Sequence, residues 1–116
     1  MGIEVEEEVL VYGLRYCLGR HTYAVSVMCW AIHDNLDKLS IRALFVIGRD
    51  ILEFLERVRV SDIKRDIEEV DNISWARLLS SVVSLLPDQF REMYPYWKDI
   101  VDYFCKDCRS AVIAHD

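Results

Sequence analysis

Residues 41–57 read IRALFVIGRDILEFLER, and the spacing of their apolar side chains decides the fold. Leu44, Ile47, Gly48, Ile51, Leu52 and Leu55, followed by Val58, recur at steps of three and four. A helix gathers such positions on one face. Arg42, Arg49, Glu53, Glu56 and Arg57 take the positions left over, so the segment reads as an amphipathic helix. Ser40, just ahead of it, is a residue type that caps helix N-termini. Glu53 and Arg57 stand one turn apart in the favourable order, a pair worth about 0.2–0.5 kcal/mol.

Working outward toward the N-terminus, residues 4–18 predict a first helix. Val9, Leu10, Gly13, Leu14 and Cys17 share a broad apolar face, and four glutamates crowd the first turns, where negative charge meets unpaired N–H groups. Arg15 and Arg20 lie toward the opposite end, and Gly19 can take the left-handed conformation that closes a helix. Thr22 then caps a second predicted helix over residues 23–36. Val25, Val27, Met28, Trp30, Ala31 and Ile32 surround almost its whole circumference, which predicts a place at the centre of the fold. A strand competes for its β-branched first half, but alternation is poor and Asp34-Asn35-Leu36-Asp37 continues it without a turn signal.

Toward the C-terminus, a short helix is predicted from Ser61 or Asp62 to Val70, with Asp71-Asn72 as the following turn. Asn72 or Ser74 caps a fifth helix carrying Trp75, Leu78, Leu79, Val82, Val83 and Leu86. Residues 87–94 form a short helix or a structured loop after Pro87. Pro95 starts a last helix reaching about residue 113, with Trp97, Ile100, Val101, Phe104, Cys105 and Cys108 inward. No linker, repeat or low-complexity segment divides the chain. The expectation is an all-α fold: one compact bundle of five or six helices spanning residues 1–116.

Composition narrows the function classes. A chain of 116 residues exposes roughly 6,500 Å² when folded against about 20,000 Å² when extended, enough burial for one core. Fourteen basic side chains against twenty acidic ones leave a formal charge of -6, which argues against nonspecific nucleic-acid binding, since that affinity comes from neutralising phosphates. The most apolar run, residues 23–32, is too short for a membrane span. Met1 to Glu8 lack the positive charge of a secretory signal, and Glu6 stands where a myristoylation signal has Ser or Thr, so a cytoplasmic location is expected.

Four cysteines occur, Cys17, Cys29, Cys105 and Cys108. A reduced chain, with Cys17 and Cys29 as small buried hydrophobes, is the expectation. The pair Cys105 and Cys108 falls late in a helix, the wrong end for a stabilised redox thiolate. Together with Cys17 and Cys29, or with His21 or His33, the pair could assemble a structural zinc site, although only one short-spaced pair is present. His33-Asp34 and His115-Asp116 are too few and too scattered for a metal hydrolase. There is no nucleophile elbow and no glycine-rich phosphate loop. No catalytic residue and no cofactor is expected, which leaves a small enzyme of unspecified chemistry only as an alternative.

The most distinctive string is YGLRYCLGRHTY, residues 12–23. Tyr12, Arg15, Tyr16, Arg20, His21 and Tyr23 crowd one helix–turn–helix junction, where stacking and bidentate hydrogen bonding could recognise a carboxylate, a phosphate or a partner's backbone. Alternatively, the arginines pair with nearby acids and the tyrosines fill the rim. This string resembles small proteins carried by phages and mobile elements of bacteria, with a pattern close to Tyr-x-Leu-Arg-Tyr-x-Leu-Gly-Arg-x-Thr-Tyr. Asp50-Ile51 and Trp75-Ala76-Arg77-Leu78-Leu79 extend the similarity downstream. The resemblance implies a mobile-element origin and carries over no catalytic role. Within that context, the chain's compactness, acidity and Tyr/Arg surface lead to the expectation of a non-catalytic protein-interaction module that binds a host protein. Self-association is a further expectation, because Trp30, Trp75, Trp97, Tyr94 and Tyr96 exceed what one small core readily covers.

Overall fold

The structure is a computed structural model and describes residues 6–18, 24–61 and 66–105. They form an all-helical bundle: α1 (Glu7–Cys17), α2 (Ala24–Asp34), α3 (Ile41–Ser61), α4 (Asp66–Leu85), α5 (Asp88–Met93) and α6 (Trp97–Phe104). A single 3-10 turn, Leu36–Lys38, joins α2 to α3. The predicted caps at Gly19 and Thr22 lie outside the described residues, and the last helix, predicted to reach about residue 113, ends at Phe104, where Cys105 turns to extended conformation.

The amphipathic reading of α3 holds. Leu44, Ile47, Ile51, Leu52 and Leu55 are buried, and the helix runs one turn further than its predicted end. Ser40 caps it: its Oγ accepts the Ala43 N–H at 3.1 Å. The Glu7 carboxylate, from the first turn of α1, accepts both the Ser40 N–H and, at 3.0 Å, the Ser40 hydroxyl. One carboxylate thus joins the N-terminal ends of α1 and α3.

Two further expectations are corrected. The turn at Asp71-Asn72 and the division around it do not occur, and α4 is one helix of 20 residues. No glycine or proline falls between residues 66 and 85 to break it. Asn72 lies three residues before Trp75 and four before Ala76, on the buried face, so tertiary packing overrides the weak helix propensity of Asp and Asn. The second correction concerns α2, which does not occupy the centre. Only Val25 and Ile32 among its described side chains are buried, while Val27 and Trp30 face solvent. The centre belongs to α3 and α4, which make the largest helix–helix contact; α4 also packs on α6 and α2, and α3 on α1 and α6.

Short polar caps and ring contacts finish the C-terminal half. Pro87 precedes α5 in extended conformation. Arg91 in α5 closes the end of α4, donating from Nη2 to the Val83 carbonyl at 2.9 Å and from Nη1 to the Leu86 carbonyl at 3.1 Å. Phe90 is fully buried and meets Phe45 edge-on, with ring centroids 5.1 Å apart, and Tyr94 at 4.9 Å. Burial, then the negative charge of Glu56 and a hydrogen bond to it, push the Tyr96 phenol above the ordinary tyrosine range.

Two glycines mark close helix approaches of different kinds. A Cβ at Gly48 would lie 3.2 Å from Phe90 Cζ and 3.3 Å from Leu86 Cδ1. Phe90 is held by rings on two sides and cannot give way. A Cβ at Gly13 would lie 2.8 Å from Met28 Sδ, the flexible end of a half-buried side chain. Gly48→Ala is therefore expected to lower stability by about 1 kcal/mol despite its better helix propensity. Gly13→Ala is expected to be neutral or stabilising, by up to about 1 kcal/mol. Urea unfolding of both variants checks the contrast. Because the fold favours the neutral Tyr96 phenol, its contribution is intact below the ordinary tyrosine pKa of about 10 and is lost as pH rises through the higher folded value. The urea midpoint of Tyr96→Phe should accordingly fall less steeply with rising alkaline pH than that of the parent chain.

Candidate protein-interaction face

The buried side of α1 is built by Leu10, Leu14 and Cys17. One step round the helix from Leu14 lies Gly13, whose missing side chain admits Met28 of α2. Beyond Gly13, on the solvent side, Val9, Tyr12 and Tyr16 follow at i, i+3 and i+7 and form a second stripe. The same order repeats on α2. Val25 and Ile32 are buried, Met28 and Ala31 are half-buried against the core, and Val27 and Trp30 lie outermost. Val9, Tyr12 and Tyr16 flank the α1–α2 seam, whereas Trp30, two residues after Met28 and so about 200° round the helix, lies on the side of α2 away from it. Their exposures are 57% for Val9, 76% for Tyr12, 57% for Tyr16, 67% for Val27 and 75% for Trp30.

Of the six residues predicted to form the junction surface, Tyr12 and Tyr16 belong to this face. Arg15 is turned away from it: its Nε donates to Asp50 Oδ2 of α3 at 2.8 Å, and Asp50 is mostly withdrawn from solvent. Arg49 Nη2 approaches the other oxygen, Oδ1, at 3.5 Å. The hydrogen bond to Asp50, then its charge, raise the Arg15 pKa above its ordinary value. The arginine-pairing alternative therefore describes Arg15. Arg20, His21 and Tyr23 lie outside the described residues.

Sequence reasoning misses Val9 and Val27, and names Trp30 only among the five aromatics expected to drive self-association. Apolar spacing puts Val9 on the inner face of the first helix, and its all-round apolarity puts α2 in the core. A legible signal was the second stripe itself, Val9, Tyr12 and Tyr16 opposite Leu10, Leu14 and Cys17. Among the five aromatics expected to overfill the core, Trp75 is fully buried, while Trp97, Tyr94 and Tyr96 are half-buried against it. Trp30 alone of these five is largely exposed.

The metal-site residues do not converge. Cys17 is buried near the end of α1, and Cys29 is a half-buried thiol in α2 rather than a fully buried one. Cys105, the residue that closes α6, is disulfide-bonded, which departs from the expectation of a wholly reduced chain and removes it as a thiolate ligand in this state. Cys108 and His21 lie outside the described residues, and His33 is exposed on α2. Among the described residues, no group of three or more His, Cys, Asp or Glu side chains is placed to hold a metal ion. Nor is any helix among them long and apolar enough to cross a membrane.

The geometry defines a small helical bundle with exposed aromatic and aliphatic side chains on the outer sides of α1 and α2. Comparison with family models, curated proteins and solved structures gives no match.

The Arg15–Asp50 contact yields a testable coupling. A double-mutant cycle of Arg15→Ala and Asp50→Ala in urea should show a favourable interaction. That interaction should shrink as sodium chloride is raised toward about 1 M, where the Debye length is about 3 Å.

Proposed function

We propose that the chain is a non-catalytic protein-interaction module that binds another protein through the outer face of α1 and α2. One observation carries this reading: Trp30, in a helix with the composition of a core helix, is 75% exposed. Val9, Tyr12 and Tyr16 on α1 and Val27 on α2 are further exposed apolar side chains. Exposed contiguous apolar surface on a small protein marks an interaction site, and Trp and Tyr supply most binding hot spots. The chain's acidity adds a reason to set nonspecific nucleic-acid binding aside. The likeness of residues 12–23 to phage and mobile-element proteins makes a bacterial host protein the partner class within this proposal. Arg15, engaged with Asp50, contributes by holding α1 in place.

Affinity capture from a bacterial lysate tests the proposal. A specific partner is expected with the parent chain, and its recovery should drop by roughly thirtyfold with Trp30→Ala, as for a hot-spot residue. A substitution at the exposed Tyr103 of α6 should leave recovery unchanged. Equal recovery by Trp30→Ala and the parent chain would overturn the face.

A further inference from the structure

We propose that Cys105 and Cys108 form a redox switch that sets where α6 ends. A disulfide between them stops the helix at Phe104, and its reduction lets the helix extend toward residue 113.

The first argument identifies the partner. The chain has four cysteines. Cys17 and Cys29 carry thiols, whereas Cys105 is disulfide-bonded. Within one chain this assigns Cys108, which lies outside the described residues, as the other half of the bond. Cys105 and Cys108 are three positions apart, and a disulfide needs Cα atoms only about 4.4–6.8 Å apart. Cys105 is buried and belongs to the core, so the bond acts at the point where α6 meets the interior.

The second argument is the helix end itself. Val101, Phe104, Cys105, Cys108 and Val112 recur at helical spacing, so the apolar pattern of α6 runs on beyond Phe104. No glycine or proline follows Cys105 to stop it. An extended helix would also bring Lys106 and Arg109 toward its C-terminal end, where positive charge is favourable. As it stands, α6 has no basic residue in its last turn. Cys105 nevertheless leaves helical geometry, with φ -144° and ψ 90°. A disulfide supplies the reason. Side chains three apart on a regular helix hold their Cβ atoms about 5–6 Å apart, whereas a disulfide draws them to about 3.8 Å. A bond between the two cysteines and a regular helix through both are therefore competing arrangements.

Switching is a thiol–disulfide exchange with a dithiol. One thiolate of the reductant attacks a sulfur of the pair, and the displaced cysteine sulfur takes up a proton. The second thiolate of the reductant then displaces the other cysteine, leaving Cys105 and Cys108 as thiols and the reductant as a disulfide. The C-terminal end of a helix disfavours thiolates, which suits a change of shape rather than turnover of other disulfides.

The full chain, equilibrated with oxidised glutathione and then with dithiothreitol, tests the switch. Alkylation in denaturant should label only Cys17 and Cys29 in the oxidised chain and all four cysteines after reduction. Reduction without denaturant should raise the helical circular dichroism by roughly a tenth, the share that residues 105–113 would add to the described helices. Cys108→Ser should show the higher signal without dithiothreitol and no response to it. The response of the parent chain decides the matter if that variant does not fold. Labelling of Cys105 or Cys108 in the oxidised chain overturns the bond. A linked pair whose reduction leaves the dichroism unchanged, or lowers it, overturns the switch. So does a bond that dithiothreitol reaches only in denaturant.

Discussion

The contact between α3 and α4 is the constraint to which the other helices are fitted. Ile47, Ile51, Leu52 and Leu55 on one side and Trp75, Leu78, Leu79, Val82 and Val83 on the other are almost completely withdrawn from water. Removing one such leucine side chain generally costs about 2–5 kcal/mol, a large share of the roughly 5–15 kcal/mol that stabilises a domain. Once this pair is formed, α5 turns back beneath it through Phe90 and Arg91, while α6 packs across both members. The lack of a Cβ at Gly48 sets how closely α5 approaches.

The placement of α1 follows from the same pair by polar means. Glu7 is tied to the cap of α3 at Ser40, and Arg15 to Asp50, about three turns further along α3. These contacts are eight residues apart on α1 and bind the side of the helix turned away from the α2 seam. Two anchors at that separation fix the roll of the helix about its own axis. Leu10 and Leu14 are thereby directed inward, and Tyr12 and Tyr16 outward. Arg15 influences the face without being part of it.

Much of this was legible in residue spacing. The α3 register, the Ser40 cap, the inner face of α4 and the bundle class all follow from apolar periodicity and capping chemistry. The failures have physical causes. Asp71-Asn72 is a turn signal on local preference, but a long apolar stripe on either side can carry a helix through it. The apolar circumference of α2 indicates burial without saying by what, and within the chain only one side of α2 is covered. That ambiguity also concealed Trp30 as a site residue. Tyr12 and Tyr16 were recognisable, whereas the choice between a free and a paired Arg15 depended on Asp50, 35 residues away.

Asn72 has a consequence for the uniqueness of the fold. Among the described residues Asn72 and Ser80 are the buried polar side chains, both on α4. If α4 slid along α3 by one turn, hydrocarbon could still meet hydrocarbon at most positions, because the stripe is made of similar aliphatic residues. Asn72 breaks that repetition: an amide carried to a wholly apolar site is left unsatisfied, which is costly. A polar residue within a repetitive apolar stripe therefore acts as an index mark. It adds little to the strength of the α3–α4 contact and distinguishes one alignment of the two helices from its near-copies.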